Sequence, residues 1–309
     1  MSSKILIVMY HFLEESAYTK FLGINDLSMD AFKKQVKYFK KQYTIITMED
    51  LIDALQLNKD LPKKAMLLTF DDELNEHFRI AFPILKDLNV QGSFFLPMSI
   101  LKNRQLLNIH KLQSILAHSD IQQLISQIYK ILDELRPAYK LKENKEYYNE
   151  LAFPGRFDIA DVNFIKLLLQ RILPKEVKKI IINRLFDQYC KDININNFYL
   201  NFDQIKYMKD HGMYIGNHGF NHNWLDILNK NEQEIDMDLS LRYLRSINKN
   251  MTDWVIAYPF GAYNNSLINI IKQRGCVAGF TTSPNVADIK DNKFVLPRID
   301  IHYFKKNMY

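Results

Sequence analysis

The chain of 309 residues contains little cysteine, glycine or proline. Its two cysteines, Cys190 and Cys276, form no C-x-x-C pair, which excludes a disulfide framework and the usual zinc-ribbon and redox motifs. Nine glycines and nine prolines are about half of average usage, so collagen-like, linker-rich and low-complexity classes are excluded. Long apolar runs are also missing, and none approaches the roughly 18 residues of a membrane span.

The N-terminus and the charge lead to expectations about location and partners. The first apolar run, 5–10, is shorter than a signal-peptide core and stops at His11 without a cleavage site, so we expect a cytoplasmic protein. The net charge of +6 is modest and no basic stripe or known module is visible, so nucleic acid is not an expected partner. Any membrane contact is expected to be peripheral at most.

Six short runs that are apolar on both faces predict buried strands. They span 5–9, 65–70, 92–96, 213–215, 254–258 and 277–281. Helical spacing predicts helices between them, over 31–41 behind Ser28, 48–57 behind Thr47, 76–88 and 232–247. Strands that alternate with helices are typical of an α/β fold with a parallel sheet or barrel.

The alternation stops between 102 and 200, where apolar residues recur at helical spacing. This pattern predicts a helical insertion, broken at Pro137, Pro154, Gly155 and Pro174. We expect one domain over 1–309, with 102–200 inserted in it as a lid or a pocket wall. The insertion has 16 Lys and Arg against 11 Asp and Glu, which fits a phosphate-bearing ligand, an anionic membrane surface or a solvated helical face.

Two adjacent carboxylates close the strand predicted over 65–70, in Thr69-Phe70-Asp71-Asp72. Two adjacent carboxylates repel each other and resist burial, so the arrangement favours a bound cation. The alternative is that Asp71 or Asp72 caps a following helix. Barrel active sites form at the carboxyl ends of strands, which favours a functional role.

A second motif, His218-Gly219-Phe220-Asn221-His222, follows the strand predicted over 213–215. Two imidazoles four residues apart are common metal ligands. A zinc protease of the H-E-x-x-H type would need Glu where Gly219 stands, so that motif is excluded. One Asp and two His form a three-ligand set that leaves open positions for water and substrate, as in hydrolytic metal centres.

A third motif, Ala257-Tyr258-Pro259-Phe260-Gly261, ends another predicted strand. The three motifs in this order resemble the polysaccharide deacetylase family, carbohydrate esterases with the NodB homology domain, whose motifs are T-F-D-D, H-x-x-x-H and R-x-P-Y/F. The resemblance covers 5–98 and 202–301. It implies a distorted (β/α) barrel of the NodB-like deacetylase fold, with the helical insertion outside the core motifs.

The resemblance also implies an activity and a cofactor. It implies a metal-dependent hydrolase that removes an acetyl or formyl group from the nitrogen of an amino sugar. Asp71 would be the catalytic base, and the metal would be bound by Asp72, His218 and His222. One carboxylate and two imidazoles suit zinc first, and Co, Ni, Mn or Fe as well.

The second and third motifs match the family pattern only in part, since Phe260 keeps it whereas Gly219 and Ala257 depart from it. The backbone N–H of Phe260 would help to hold the oxyanion, with Tyr258 beside it. Gly219 stands where the family has a Ser or Thr that braces the loop, and Ala257 replaces the Arg that orients the base. Arg298 is the candidate to supply that guanidinium from a late strand, with a surface ion pair as the alternative.

The general acid is expected at one of two histidines. The family's last motif is L-x-H, and only His302 follows at a suitable place. The first predicted strand ends in His11, as in a circularly permuted branch that includes poly-N-acetylglucosamine deacetylases, so His11 is preferred; a capping histidine is the alternative for either. No role is assigned to the remaining four histidines, His77, His110, His118 and His211.

The expected substrate is an N-acylated amino sugar, free or in nucleotide- or lipid-linked form, in the synthesis of bacterial surface-glycan precursors. The second hypothesis is a catalytically silent sugar-binding or assembly protein on the same fold, motivated by Gly219 and Ala257. The retained base, ligands and candidate acid favour the enzyme. The sequence leaves the oligomeric state open.

Overall fold

The computed structural model describes residues 2–13, 27–103, 105–155, 158–191, 198–249 and 251–304. The described residues form two compact units. The first contains 2–13, 27–103, 105, 198–249 and 251–304, and the second contains 106–155 and 158–191. One domain over 1–309 with an insertion at 102–200 stays a prediction.

The first unit is built on a sheet of nine strands within the described ranges. These are β1 (Lys4–Tyr10), β2 (Thr44–Ile45), β3 (Ala65–Asp71), β4 (Ser93–Leu96), β5 (Tyr214–Asn217), β6 (Trp254–Ala257), β7 (Cys276–Phe280), β8 (Ala287–Asp288) and β9 (Ile299–Asp300). The six predicted strands are all present, with bounds that agree to within two residues. The two-residue strands β2, β8 and β9 are too short for a sequence pattern.

The sheet follows the order β7-β6-β5-β4-β3-β1-β8, with β2 against β3 and β9 against β1. Its pairings are parallel except that between β1 and β8. The parallel strands and the helices between them confirm the predicted α/β fold class, a distorted barrel-like sheet. The carboxyl ends of its parallel strands meet at one edge.

Twelve α-helices lie in the described part of the chain. They are α1 (Met29–Gln42), α2 (Met48–Leu57), α3 (Phe82–Asp87), α4 (Ser99–Asn103), α5 (Asn108–His118), α6 (Ile121–Tyr139), α7 (Asn144–Leu151), α8 (Ala160–Leu167), α9 (Lys175–Tyr189), α10 (Phe202–Asp210), α11 (Lys230–Ile247) and α12 (Asn265–Gln273). The Ser28 hydroxyl accepts from the backbone N–H of Ala31, and Thr47 forms a capping box with Asp50, so both predicted caps are confirmed. In the described ranges, no helix combines the length and the apolar character that a membrane span requires.

Alternate strand residues face two different cores, as the two-residue period of a strand requires. Val8 of β1 belongs to the core that contains Phe32 of α1, whereas Ile7 belongs to the core that contains Leu51 of α2. Burial on both faces explains why these strands have no polar face. In β3, Asp71 has the same parity as Leu67, which belongs to the core with Ile7 and Leu51. The Asp71 carboxylate therefore lies on that face of the sheet, at the end of the strand.

The second unit consists of α5 to α9 and a π-helical turn, 168–172, and confirms the predicted helical character of this stretch. Pro154 and Gly155 lie between helices and Pro174 immediately precedes α9, so the breaks predicted at these three residues are confirmed. The predicted break at Pro137 is wrong, because α6 continues to Tyr139. Pro137 lacks the N–H that would bond to the carbonyl of Asp133, but only two residues of α6 follow it, so the bond is lost close to the end of the helix.

Candidate active site

The predicted motif residues lie at the ends of neighbouring parallel strands. β3 ends with Asp71, and His11 directly follows β1, the strand beside it. His218 follows β5, and Tyr258 follows β6, the next strand in the sheet. The fold therefore brings residues from distant parts of the sequence to one edge.

Asp72, His218 and His222 form a compact cluster of three potential metal ligands. One ligand atom from each residue lies within 4.8 Å of those of the other two. The Oδ1 atom of Asp72 is 3.4 Å from His218 Nε2 and 3.2 Å from His222 Nε2. All three side chains are almost completely buried. This is the ligand set predicted from the sequence.

The hydrogen bonding of His218 supports a cation at this cluster. Its Nδ1 lies 2.6 Å from the carbonyl oxygen of Ala257, which can only accept, so Nδ1 carries the proton. In the neutral ring the lone pair of Nε2 then faces the Asp72 carboxylate, which is repulsive unless a proton or a metal ion lies between them. Burial opposes the charged ring, but the carboxylates of Asp71 and Asp72 outweigh it, and the pKa of His218 is raised.

These residues fit a divalent metal ion. A carboxylate and two imidazoles that converge from buried positions are suitable ligands for zinc and for the other first-row metals considered above. The bond from His218 to the Ala257 carbonyl fixes the tautomer that leaves Nε2 free to coordinate. Ala257, which stands where the family has its Arg, thus holds the candidate ligand His218 through its backbone.

Asp71 forms a buried ion pair with Arg298. Two parallel bonds join them, Nη1 to Oδ1 at 2.9 Å and Nη2 to Oδ2 at 2.7 Å. Arg298 is fully buried and also donates to the Thr69 hydroxyl and to the carbonyl of Thr281. Burial raises the pKa of Asp71, but Arg298 and neighbouring histidines outweigh it, and the net pKa is lowered. The alternative of a surface ion pair for Arg298 is therefore excluded.

The two candidate general acids have different surroundings. The Nε2 atom of His11 lies 4.0 Å from Asp71 Oδ2, with about a third of its side chain exposed. His302 belongs to a short helical turn after β9, and its Nε2 lies 3.9 Å from Asp300 Oδ1. His11 thus lies beside Asp71 and borders solvent, whereas His302 lies beside Asp300, and the role of general acid stays a prediction for His11.

Phe260 has a backbone conformation that the sequence did not predict. It lies in a short turn after β6 with a positive φ of 59°. Its ring stacks on that of Trp224 at 4.5 Å and contacts that of His222. Tyr258 is fully buried and its hydroxyl donates to the carbonyl of Phe294, so its side chain supports the fold beside the site. The substrate role of both residues stays a prediction.

The loop with the two histidines is braced without the family's hydroxyl. The Asn217 side chain accepts from the N–H of Gly219 at 2.6 Å, and Asp236 of α11 accepts from the N–H of Phe220 at 2.7 Å. Gly219 has a φ of +71°, a conformation in which any Cβ is strained. Asn217 and Asp236 therefore replace the brace that Gly219 cannot provide.

Backbone strain is concentrated at this site. Eight described residues other than glycine have positive φ, and four of them are Asp72, Glu73, His222 and Phe260. Such conformations cost of order 1–3 kcal/mol each and cluster at functional sites. No sequence pattern predicted them, because none of these residue types requires a positive φ.

His77 is a buried residue near the site, and its sequence context predicted no role for it. It begins a π-helical segment, His77–Ala81, inside the single helix predicted over 76–88. Its Nε2 lies 2.9 Å from the carbonyl oxygen of His11, and its ring contacts those of Phe70 and Phe94. Burial lowers the pKa of His77 to about 4, against opposing effects of the His11 carbonyl and nearby carboxylates.

We expect His77 to make the stability of the protein depend on pH. Its pKa is lower in the folded chain than the ordinary 6.5, so the unfolded chain binds the proton first as the pH falls. The stabilising contribution is complete above pH 6.5 and decreases by about 3 kcal/mol towards pH 4. Denaturant titrations of metal-free protein between pH 7 and 4 should show a smaller decrease for His77→Phe than for wild type. Parallel pH profiles would contradict this assignment.

Comparisons with known proteins agree with the motif analysis. The family model described as "Polysaccharide deacetylase" matches residues 183–279, which contain the second and third motifs. A protein of Bacillus subtilis (strain 168), YxkH, whose name assigns it to the polysaccharide deacetylases, is 28% identical over 99 residues. That alignment spans 32% of this chain and 35% of YxkH.

Solved structures of low sequence identity share the fold over nearly the whole chain. The Streptococcus pyogenes deacetylase PplD is 20% identical with a TM-score of 0.62, covering 99% of this chain and 98% of PplD. IcaB from Ammonifex degensii is 16% identical with a TM-score of 0.60, covering 96% of this chain and 91% of IcaB. The chain thus has the NodB-like deacetylase fold together with that family's motifs, and its resemblance to the polysaccharide deacetylase family is confirmed.

Proposed function

We propose that this protein is a metal-dependent hydrolase that removes an N-acyl group, acetyl or formyl, from an amino sugar. The observation that carries this proposal is that a buried ion pair and a buried set of potential metal ligands meet at the adjacent residues Asp71 and Asp72. Asp71 is held by Arg298, while Asp72 completes a ligand set with His218 and His222. A base beside a metal site is one arrangement that can hydrolyse an unactivated amide, with the metal as Lewis acid and the base as proton acceptor.

Each residue of the site has a distinct task in the proposed reaction. Asp72, His218 and His222 would hold a divalent metal ion, which would supply Lewis acidity towards the acyl carbonyl and the attacking water. Asp71 takes a proton from that water as its oxygen bonds to the carbonyl carbon, and Arg298 keeps the carboxylate oriented.

Two further groups complete the proposed reaction. The backbone N–H of Phe260 donates to the oxyanion. His11 gives a proton to the nitrogen as the carbon–nitrogen bond breaks, which releases a carboxylic acid and a free amine. Its position 4.0 Å from Asp71 supports this role.

The surroundings of the third motif support a sugar as substrate. Gly261, next to Phe260, lines a cleft of about 840 Å³ in the first unit, whose lining includes none of the proposed ligands, base or acid. Hydroxyl and amide side chains line much of it, including Tyr263, Thr282, Ser283 and Asn285. Groups of this kind suit a ligand rich in hydroxyls. An N-acylated amino sugar, as part of a glycan or in a nucleotide- or lipid-linked precursor, is the substrate class we propose.

Metal removal tests the proposed function. We expect dialysis against a chelator to abolish release of acetate or formate from N-acylated amino sugars, and added zinc or cobalt to restore it. A His222→Ala variant should bind substoichiometric metal and remain inactive after the same addition. Elemental analysis and acid-release assays measure both effects. A purified protein that binds no metal and hydrolyses no substrate after addition would instead support the catalytically silent alternative.

A further inference from the structure

The backbone just beyond β1 is fixed by two neighbouring side chains. The strand ladder between β1 and β3 ends at the pair of Tyr10 with Phe70, so residues 11–13 lie past its last pairing with β3. His77 Nε2 lies 2.9 Å from the carbonyl oxygen of His11. The backbone N–H of Leu13 donates to Glu76 Oε1 at 2.5 Å.

The geometry makes His77 a donor of fixed orientation. A carbonyl oxygen only accepts, so Nε2 carries the proton in this contact. The imidazole has no exposed surface, and its ring centroid lies 5.6 Å from that of Phe70 and 5.7 Å from that of Phe94. Phe70 immediately precedes Asp71, so His77 links the end of β1 to the strand that carries the proposed base.

We propose that His77 and Glu76 are positioning residues that hold His11 in reach of the reaction centre. This inference rests on the proposed function, in which His11 protonates the leaving amine. Neither residue touches the reacting atoms. By binding the carbonyl of residue 11 and the N–H of residue 13, they fix the backbone from which the His11 imidazole projects to 4.0 Å from Asp71.

The role of His11 determines which reactions the two residues affect. An amine is a poor leaving group without a proton, so cleavage of an amide depends on a well-placed acid. The phenolate of an aryl acetate leaves without protonation, so cleavage of that ester depends on the base and the ligands but not on His11. Loss of positioning should therefore slow amide cleavage and spare ester cleavage.

The test compares His77→Phe with His77→Gln on both substrates. Phenylalanine fills the space between the rings but donates no hydrogen bond, whereas the glutamine amide can donate to the His11 carbonyl. We expect His77→Phe to lower kcat for an N-acetylated amino-sugar oligomer about 10- to 100-fold with little change in KM. We expect its aryl acetate rate and metal content to match wild type, and His77→Gln to recover most of the lost kcat.

Glu76 provides an independent variant pair. Glu76→Ala should reproduce the selective loss, and Glu76→Gln, which keeps an acceptor for the Leu13 N–H, should recover it. His211→Phe is the matched control, because His211 also contacts a backbone carbonyl, that of Tyr207, but lies at the end of α10. We expect wild-type rates from it on both substrates.

Three outcomes would overturn the inference. Equal decreases in the amide and ester rates would show that His77 has only a general structural role. Unchanged amide turnover in His77→Phe and Glu76→Ala would show that neither residue positions His11. If His11→Ala itself leaves amide turnover intact, the acid role of His11 fails and the positioning role fails with it. Absence of turnover by the wild-type protein on every acylated sugar and on the ester would instead refute the proposed function.

Discussion

Replacement of Asp71 by asparagine is expected to lower the rate of N-acyl hydrolysis by about 10³-fold, the typical contribution of a general base. Asparagine keeps the size of the side chain and one oxygen acceptor for Arg298, but it cannot take a proton from water. The proposed ligand atoms belong to Asp72, His218 and His222, so the metal content should equal that of wild type. Steady-state kinetics with elemental analysis of the same preparation measures both quantities.

Two companion variants make the Asp71 result specific. Asp72→Asn should lose metal and activity together, because it removes a charged ligand rather than the base. Asp238→Asn, on the exposed side of α11, should change neither quantity. Equal hydrolysis rates for Asp71→Asn and wild type would show that another group accepts the proton.

Much of the site could be predicted because its chemistry is encoded in short motifs. Adjacent carboxylates at the end of a buried strand and histidines four residues apart are patterns whose residue types are dictated by metal binding and proton transfer. The regular strands could be predicted as well, since burial on both faces leaves a run of apolar residues. Both signals are local in sequence.

What the sequence could not predict depends on distant contacts or on backbone conformation. The brace that Asp236 provides to the loop at Phe220 joins residues 16 positions apart through one hydrogen bond and leaves no pattern. The positive φ of Phe260 is imposed by the turn, since phenylalanine has no preference for it. In the sequence, nothing distinguishes His77 from other histidines in predicted helices, because its contact with the His11 backbone exists only in the folded chain.

The pairing of Arg298 with Asp71 shows how a lost motif position can be replaced. The family pattern has its Arg at position 257, and Ala257 now offers only its carbonyl, which holds His218. Arg298 reaches Asp71 from the segment before β9, which pairs with β1. Its guanidinium lies 6.0 Å from the ring centroids of Phe95 and Phe280, which belong to the core that contains Ile7. The two bonds that orient the Asp71 carboxylate thus come from a different segment of the chain.

Substitution of Arg298 by methionine is expected to be the most destabilising change at the site. Methionine keeps the apolar stem but leaves the Asp71 carboxylate buried without its partner, which typically costs about 3–5 kcal/mol of unfolding free energy. The variant should also lose most of its hydrolase activity, because the base loses the two bonds that orient it. Denaturant titrations of metal-free protein measure the first effect, and acid-release kinetics of metal-loaded protein the second.

A second Arg–Asp pair in the same unit provides the matched control. Arg274 also makes two bonds to one carboxylate, that of Asp238, but 63% of the Asp238 side chain is exposed. Arg274→Met should therefore cost at most about 1 kcal/mol, because water solvates the carboxylate that remains. The double variant Asp71→Asn/Arg298→Met removes both buried charges and should be more stable than Arg298→Met alone. Equal costs for the two arginine substitutions, or a double variant less stable than the single one, would show that burial of the Asp71 charge does not determine the loss.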